Sequence, residues 1–244
     1  MAGVMTLTNL SVERGGCTLL SKLSCEINGG EVVVVLGPNG AGKSSLLLAL
    51  AGLIPAGGSI ALLDRALASY GRSELSQTVA WQGDLPPTEF GITVRQRLEL
   101  AAGEESETLE STAAVMDIAS LLQRPLGELS SGERQRTELA ALMLRDAPFW
   151  LLDEPTAHLD LKHQIHCINM MKEQRANGRA IVAVLHDLQQ AEAIADRLIL
   201  IDGKGGAEYG EATLLFTEDR LTHLFNALVI KQGSVLVPDY GDKR

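Results

Sequence analysis

The pattern of apolar and polar positions places strands in both outer parts of the chain and helices in its middle. Residues 5–12 and 19–27 alternate apolar and polar side chains, as half-buried antiparallel strands do. Residues 32–36 are an unbroken run of Val and Leu, which is typical of a strand buried on both faces. Further strands are predicted at 59–62, 78–81, 149–152, 180–185 and 198–201.

Helical segments separate most of these strands. The predicted helices span 43–51, 94–101, 107–116, 118–122, 133–144 and 188–195. Because strands that alternate with helices form parallel sheets, the pattern predicts an α/β fold. The block at 93–144 is predicted to be a helical insertion between two halves of the sheet domain. A hairpin is expected near the end, with strands at 228–231 and 234–237 around Gln232-Gly233.

Composition narrows the classes of function. A chain of 244 residues can bury one sizeable α/β core or two modest domains. A net charge of −10 argues against a nucleic-acid surface. Cys17, Cys25 and Cys167 form no metal-binding spacing, which favours a reduced, intracellular chain. The longest apolar run, 46–54, is far below the ~20 residues of a membrane span, so any service to a membrane is expected to pass through a partner.

A phosphate-binding loop follows the buried strand at 32–36. The chain matches G-x-x-x-x-G-K-[ST] at every fixed position, and a predicted helix follows. The glycines let successive N–H groups face one point, and the helix N-terminus adds partial positive charge there. The alternative is a glycine-rich turn that caps an ordinary helix. The predicted loop comprises Gly37, Pro38, Asn39, Gly40, Ala41, Gly42, Lys43, Ser44 and Ser45.

Polar side chains follow three other predicted strands. Asp153 and Glu154 come directly after the apolar run at 149–152, His186 follows 180–185, and Gln82 follows 78–81. The carboxyl ends of parallel strands meet at one edge of a sheet, where ligands bind in open α/β folds. Lys43 would reach the β- and γ-phosphates; Asp153, Gln82 and the Ser44 hydroxyl would hold Mg²⁺. Glu154 would orient or deprotonate the attacking water, with His186 beside it.

One more stretch, LSSGERQR at 129–136, starts a helix that offers amides and hydroxyls to an anion. Together with GPNGAGKSS, Gln82, FWLLDEP, AHLD at 157–160 and LHD at 185–187, it resembles the ATP-binding-cassette (ABC) ATPases over nearly the whole chain. The resemblance implies a P-loop NTPase with a RecA-like core, an antiparallel β subdomain and a helical insertion. It implies one ABC domain over 1–244, with the core and β subdomain at about 1–85 and 146–216, the helical subdomain at about 86–145 and a C-terminal extension at 217–244.

The resemblance also implies partners. ATP and Mg²⁺ would be the cofactors, and two copies of the chain would bury two ATPs head-to-tail. Ser130, Ser131 and Gly132 of one copy would contact the γ-phosphate held by the other, and Asp160 would communicate between the sites. Separate transmembrane permease subunits would dock near 83–92, on the cytoplasmic side of the membrane. The chain would touch neither nucleic acid nor the transported cargo.

The sequence departs from the family pattern at three positions. Ser131 stands where glycine is common, Glu133 where glutamine is common, and Arg14 near the place of an aromatic that stacks on adenine. Arg14 either stacks through its guanidinium plane or is a solvated turn residue. The histidines invite a metal interpretation, but no carboxylate or cysteine completes a set. These histidines are His158, His163 and His166.

Within the family, the segments at 157–164 and 184–203 resemble importer ATPases for metal chelates such as iron-siderophore complexes, haem or cobalamin. Two other functions stay open, an iron–sulfur assembly factor and an exporter ATPase, whereas the sequence argues against a P-loop kinase and against a cassette protein of DNA repair or translation. The kinase has no use for LSSGERQR. A repair or translation cassette would need a coiled-coil insertion, a second cassette or a basic face.

Overall fold

A parallel sheet forms the centre of the protein. The computed structural model describes residues 3–83, 85, 91–102, 108–233 and 235–239. Within these residues, a six-stranded sheet has the order β10-β9-β3-β8-β7-β6, and β10 alone runs antiparallel to its neighbour. The strands are β3 (Val32–Leu36), β6 (Val79–Gln82), β7 (Phe149–Asp153), β8 (Ala180–Val184), β9 (Arg197–Ile201) and β10 (Ala207–Glu211).

The apolar run of β3 is buried on both faces, as its sequence predicts. Val33 and Val35 pack into one hydrophobic core, with the helix that follows β3. Val32, Val34 and Leu36 pack into a second core on the opposite face, with the helices of the middle and of the later part of the chain. Because both faces are covered, alternation of apolar and polar positions is lost in this strand.

A second sheet covers the first face. Its order is β2-β1-β4-β5, and the two alternating segments predicted near the start of the chain are its antiparallel strands β1 and β2. Met5 and Leu7 of β1 join the core that contains Val33. The strands are β1 (Val4–Arg14), β2 (Cys17–Asn28), β4 (Gly57–Leu62) and β5 (Arg65–Ala66). The predicted terminal hairpin is confirmed as β11 (Val229–Gln232) and β12 (Val235–Pro238).

Helices complete both faces, and most of them lie where periodicity predicts. They are α1 (Lys43–Leu50), α2 (Arg72–Thr78), α3 (Val94–Ala102), α4 (Leu109–Val115), α5 (Ser131–Met143), α6 (Leu161–Ala176), α7 (Leu188–Ile194), α8 (Ala212–Leu215) and α9 (Glu218–Phe225). The segment predicted as a helix at 118–122 contains only a 3₁₀ turn at 119–121. The missed elements are the helices α2, α6, α8 and α9 and the strands β5 and β10.

The helices α3, α4 and α5 lie between β6 and β7 in the chain, so the predicted helical insertion is present. We call residues 91–102 and 108–143 the helical insertion below. The predicted docking segment at 83–92 and the start of the helix predicted at 107–116 lie partly outside the described residues. Among the helices of the described chain, none combines the length and the apolar character needed to cross a bilayer.

Candidate active site

Close backbone packing forces the shape of the loop between β3 and α1. A Cβ at Gly37 would lie 2.3 Å from the carbonyl oxygen of Ile201, so a side chain there would displace β9. Gly42 has a φ of +103°, and a Cβ there would lie 2.8 Å from the Cβ of Leu19. Glycine is therefore required at both positions by contact with the two sheets.

Lys43 is the buried cation of this loop. Its Nζ donates hydrogen bonds to the carbonyl oxygens of Gly37 (2.9 Å) and Pro38 (3.0 Å), and only 6 % of the residue is exposed. Burial lowers the pKa of Lys43, and the negative charges of Glu154 and Asp153 oppose that shift. The ammonium group is thus held by the loop carbonyls and interacts with the acidic end of β7.

A cavity of about 620 Å³ opens over the loop, within the usual size of a small-molecule site. Its lining joins β1, β2, the loop and the strand ends. Arg14 is exposed beside the turn between β1 and β2, and no Phe, Tyr or Trp is among the described residues that line the cavity. The lining residues are Arg14, Leu19, Asn39, Gly40, Gly42, Lys43, Ser44, Ser45, Glu154 and His186.

Glu154 and His186 meet at the carboxyl edge of the parallel sheet. Asp153 of β7 pairs with Val184 of β8, so the residues that follow these strands emerge side by side. His186 Nε2 lies 2.6 Å from Glu154 Oε1. Glu154 has a left-handed backbone (φ +52°), and its N–H donates to the carbonyl of Val184 at 3.2 Å, which holds the strained residue in place. The predicted proximity of the two side chains is thus found.

A smaller pocket of about 130 Å³ lies next to Glu154, lined in part by Ser44, Gln82 and Asp153. Gln82 Nε2 donates to the carbonyl of Gly83 at 2.8 Å, whereas Gln82 Oε1 is buried and accepts no hydrogen bond within the described chain. A hydroxyl, an amide oxygen and a carboxylate are the oxygen donors that Mg²⁺ prefers, and the volume leaves room for its waters. The residues present therefore fit a magnesium ion.

The start of α5 is fixed by a capping box. Ser130 Oγ accepts from the Glu133 N–H (3.3 Å), and Glu133 Oε2 accepts from the N–H and the hydroxyl of Ser130 (both 2.8 Å). The Ser130 backbone N–H and then its hydroxyl lower the pKa of Glu133. None of the described residues Ser130, Ser131 and Gly132 lines the cavity over the phosphate loop.

The same helix start packs on the loop after β7. A Cβ at Gly132 would lie 2.9 Å from the carbonyl oxygen of His158, so the two backbones are in contact there. The buried Gln135 donates from Nε2 to the carbonyl oxygen of Pro155 at 2.9 Å. Sequence reasoning missed Gln135, since a single glutamine inside a helix carries no signal of its own.

Asp160 caps the N-terminus of α6. Its Oδ1 accepts from the backbone N–H of His163 at 2.9 Å, and the side chain is exposed. The His163 ring also contacts this carboxylate, whereas His158 is exposed. Within the described residues, no group of three or more His, Cys, Asp or Glu side chains is arranged to hold a metal ion.

Comparison with known proteins gives one consistent family. The family described as ABC transporter matches residues 20–157. The chain is 36 % identical to the hemin import ATP-binding protein HmuV of Rhodopseudomonas palustris over 203 residues, which cover 77 % of this chain and 74 % of that protein. It is 33 % identical to the cobalamin import ATP-binding protein BtuD of Halobacterium salinarum, over 92 % of this chain and 59 % of that protein.

Among solved structures, a metal-chelate type ABC transporter in an inward-facing conformation superposes with a TM-score of 0.81. The match covers 98 % of each chain at 22 % identity. At this identity the likeness concerns the fold, and it agrees with the two sheets and the helical insertion described above.

Proposed function

Because the chain belongs to the ABC transporter family, we propose that it is the ATP-hydrolysing subunit of an importer that drives separate membrane-spanning permeases. The observation that carries this proposal is the placement of Glu154 and His186, 2.6 Å apart, in the same cavity as Lys43. The names of the relatives support a metal chelate such as hemin or cobalamin as the cargo. The cargo would pass through the permeases without touching this chain.

The phosphate loop, residues 37–45, would bind the triphosphate of ATP. Residues 39–40 and 42–45 line the cavity at the N-terminus of α1. Lys43 would exchange its two backbone acceptors for phosphate oxygens. Ser44, Gln82 and Asp153 would hold Mg²⁺, which supplies positive charge against the phosphates. Arg14 and Leu19 are the side chains of β1 and β2 that would lie beside the base.

Glu154 would act as the general base. A carboxylate at the mouth of the cavity can accept the proton of a water that attacks the γ-phosphate. His186 donates from Nε2 to that carboxylate, which fixes its direction and, in the protonated ring, contributes positive charge near the phosphate. Glu154 has a left-handed backbone, and the residue lines the cavity together with the phosphate loop.

A second copy of the chain would complete the site. Ser130, Ser131 and Gly132 are absent from the lining of the chain's own cavity, which fits contact with the nucleotide of a partner copy. Asp160 is exposed at the start of α6 and would transmit between the two sites. We further propose that the dimer lies on the cytoplasmic side of the membrane, held there by the permeases, and that it binds no nucleic acid.

The domain limits follow the same scheme. A single ABC domain would span 1–244, with its core and β subdomain at about 1–85 and 146–216 and the helical subdomain at about 86–145. Residues 217–244 would form a C-terminal extension; its described part contains α9 and the hairpin of β11 and β12.

Glu154→Gln tests the base. We expect this variant to bind ATP as tightly as the wild type, to hydrolyse it at least about 100-fold more slowly, and to accumulate as a MgATP-dependent dimer. Phosphate release and sedimentation velocity measure the two effects. Glu173→Gln, an exchange of the same kind on α6, is the matched control. Undiminished hydrolysis by Glu154→Gln would refute the assignment.

Ser130→Arg tests the contribution of the second copy. A bulky cation at the exposed start of α5 should block dimer closure and hydrolysis while the isolated chain still binds ATP. Equilibrium binding of a fluorescent ATP analogue and phosphate release separate the two steps. If Ser130→Arg abolished binding to the monomer, the role in a partner's site would be wrong.

A further inference from the structure

The imidazole of His163 lies between two carboxylates that belong to different parts of the fold. Its Nδ1 is 2.7 Å from Asp160 Oδ1, and its Nε2 is 3.5 Å from Asp117 Oδ2. Asp160 caps α6, which packs on the parallel sheet, whereas Asp117 follows α4 in the helical insertion. Only 16 % of the His163 side chain is exposed, so the ring has little solvent to replace these contacts.

The number of protons on the ring decides what this contact does. A neutral imidazole has one N–H, and the 2.7 Å contact to Asp160 places it on Nδ1. Nε2 then carries a lone pair instead of a proton and faces the Asp117 carboxylate. This buried atom makes no hydrogen bond among the described residues. A doubly protonated ring donates toward both carboxylates. Adding one proton therefore converts a one-sided contact into a bridge.

Both carboxyl groups are held in the charged form. The side chain of Lys162 is the main cause that lowers the pKa of Asp117, and the His163 backbone N–H is the main cause that lowers the pKa of Asp160. Lys162 Nζ and Arg136 Nη1 lie 3.2 Å and 3.7 Å from Asp117 Oδ2. These two cations share Asp117 with His163.

The turn that presents Asp117 is itself fixed to α5. Arg136 Nη1 donates to the carbonyl oxygens of Asp117 (2.5 Å) and Met116 (3.2 Å), and Asp117 has a left-handed backbone with φ +56°. Arg136 lies on the same helix that Ser130 caps. Asp117 and the start of α5 therefore move together, and the contact between Asp117 and His163 depends on where α5 lies relative to α6.

We propose that His163 is a positioning residue that ties the helical insertion to α6, with the tie complete when the imidazole carries two protons. The inference rests on the proposed function, in which Ser130 of the insertion and Asp160 of α6 contact the same partner copy. Two contacts on separate units can be made together only if the units hold a fixed relative position. The bridge from Asp117 through His163 to Asp160 supplies that constraint.

The test measures MgATP-dependent dimerisation of full-length Glu154→Gln protein, used as the parent chain, by sedimentation at about pH 6 and about pH 8. His163→Asn keeps a donor that can reach Asp160 but loses the contact that the ring Nε2 makes with Asp117. His166→Asn is the matched control, because it makes the same exchange one turn later on α6. ATP binding to the monomer is measured in parallel and should not change.

We expect His163→Asn to weaken the dimer about 3-fold at pH 6 and to have little effect at pH 8, which is the size of a partly exposed ion pair. The dimer of the His163→Ala variant should be weaker than that of His163→Asn, because alanine also loses the donor to Asp160. Asp117→Asn should reproduce the loss at pH 6, and the double variant with His163→Asn should add no further loss.

Three outcomes would overturn the proposal. His163→Asn and His166→Asn could behave alike, the effects of His163→Asn and Asp117→Asn could add fully, or the effect of His163→Asn could be equal at the two pH values. If the parent chain formed no MgATP-dependent dimer at all, the proposed function itself would fail and the role of His163 with it. A dimer that forms normally but shows one of those three outcomes overturns the role of His163 alone.

Discussion

The geometry of the ion pair between α3 and α5 predicts which of its two residues contributes more to stability, and by about how much. Arg97 contacts Glu138 through two parallel hydrogen bonds, Nε to Oε1 at 3.0 Å and Nη2 to Oε2 at 2.6 Å. The side chains are 27 % and 10 % exposed. Arg145 lies near: burial is the main cause that lowers its pKa, Arg97 adds to the effect and Glu138 opposes it. Glu138 therefore balances two cations.

Removing Glu138 should cost more than removing Arg97. Exposed pairs contribute about 0–1 kcal/mol, and breaking a fully buried pair costs about 3–5 kcal/mol. The intermediate burial of this pair places Glu138→Gln at a loss of about 2 kcal/mol, since two cations are left facing each other. Arg97→Leu removes one of those cations and leaves Glu138 with Arg145, so we expect a loss of about 1 kcal/mol.

Urea denaturation and hydrogen exchange of the α5 amides measure these changes. The control is Glu110→Gln, which breaks an exposed pair with Arg95 in the same insertion. The two charged groups are 2.8 Å apart, and the side chains of Arg95 and Glu110 are 33 % and 60 % exposed. We expect it to lower the free energy of unfolding by much less than Glu138→Gln does, because solvent screens this exposed pair. The reasoning is refuted if Arg97→Leu costs more than Glu138→Gln, or if Glu110→Gln costs as much as Glu138→Gln.

Three further predictions follow from the site. Gly37→Ala should destabilise the protein by about 2 kcal/mol or more in thermal unfolding, because its Cβ would meet the β9 backbone. The control Gly71→Ala has open space around it and should change stability little. Equal effects of the two substitutions would contradict the packing argument. Because the pKa of Glu133 is lowered, its capping box stabilises the fold fully above the ordinary glutamate pKa of about 4.3. This stabilisation is lost as the pH falls through the lowered pKa of Glu133. The wild type should therefore be more stable than Glu133→Gln at neutral pH and lose that advantage in acid denaturation. Burial raises the pKa of Cys167 to about 12, so iodoacetamide at neutral pH should label exposed Cys17 and spare Cys167 in the mass spectrum of the native protein; rapid labelling of Cys167 would show that the core opens.

Local patterns predict the parts of the site that lie close in the chain or at strand ends. The phosphate loop needs only a buried strand, its glycines and a following helix. The proximity of Glu154 and His186 followed from two apolar runs, because parallel neighbours bring their carboxyl ends together. The neighbour relation itself, β7 beside β8, depends on pairing between residues about 30 positions apart, and short-range periodicity holds no record of it.

The missed elements have physical causes. Helix α6 exposes Leu161 and Ile165, which are 72 % and 54 % exposed, so its apolar positions do not mark one face. Strand β10 is a polar edge strand with little apolar signal. The contact of His163 with Asp117 joins residues 46 positions apart through side chains alone, and neither residue differs from a solvated charge when only the sequence is considered.

The route of the chain through β6 and β7 has a mechanical meaning. The polypeptide leaves the sheet after Gln82, at the carboxyl end of β6, and returns at Phe149, at the amino end of the neighbouring strand. Because Val79 pairs with Phe149, the two anchorage points are roughly 10 Å apart along the strand direction. Between these points the insertion also contacts the loop after β7, where Gln135 donates to the carbonyl oxygen of Pro155. Gln82 lies at one of these two points and also lines the pocket proposed for the metal, so a shift of the insertion acts directly on a residue of that pocket.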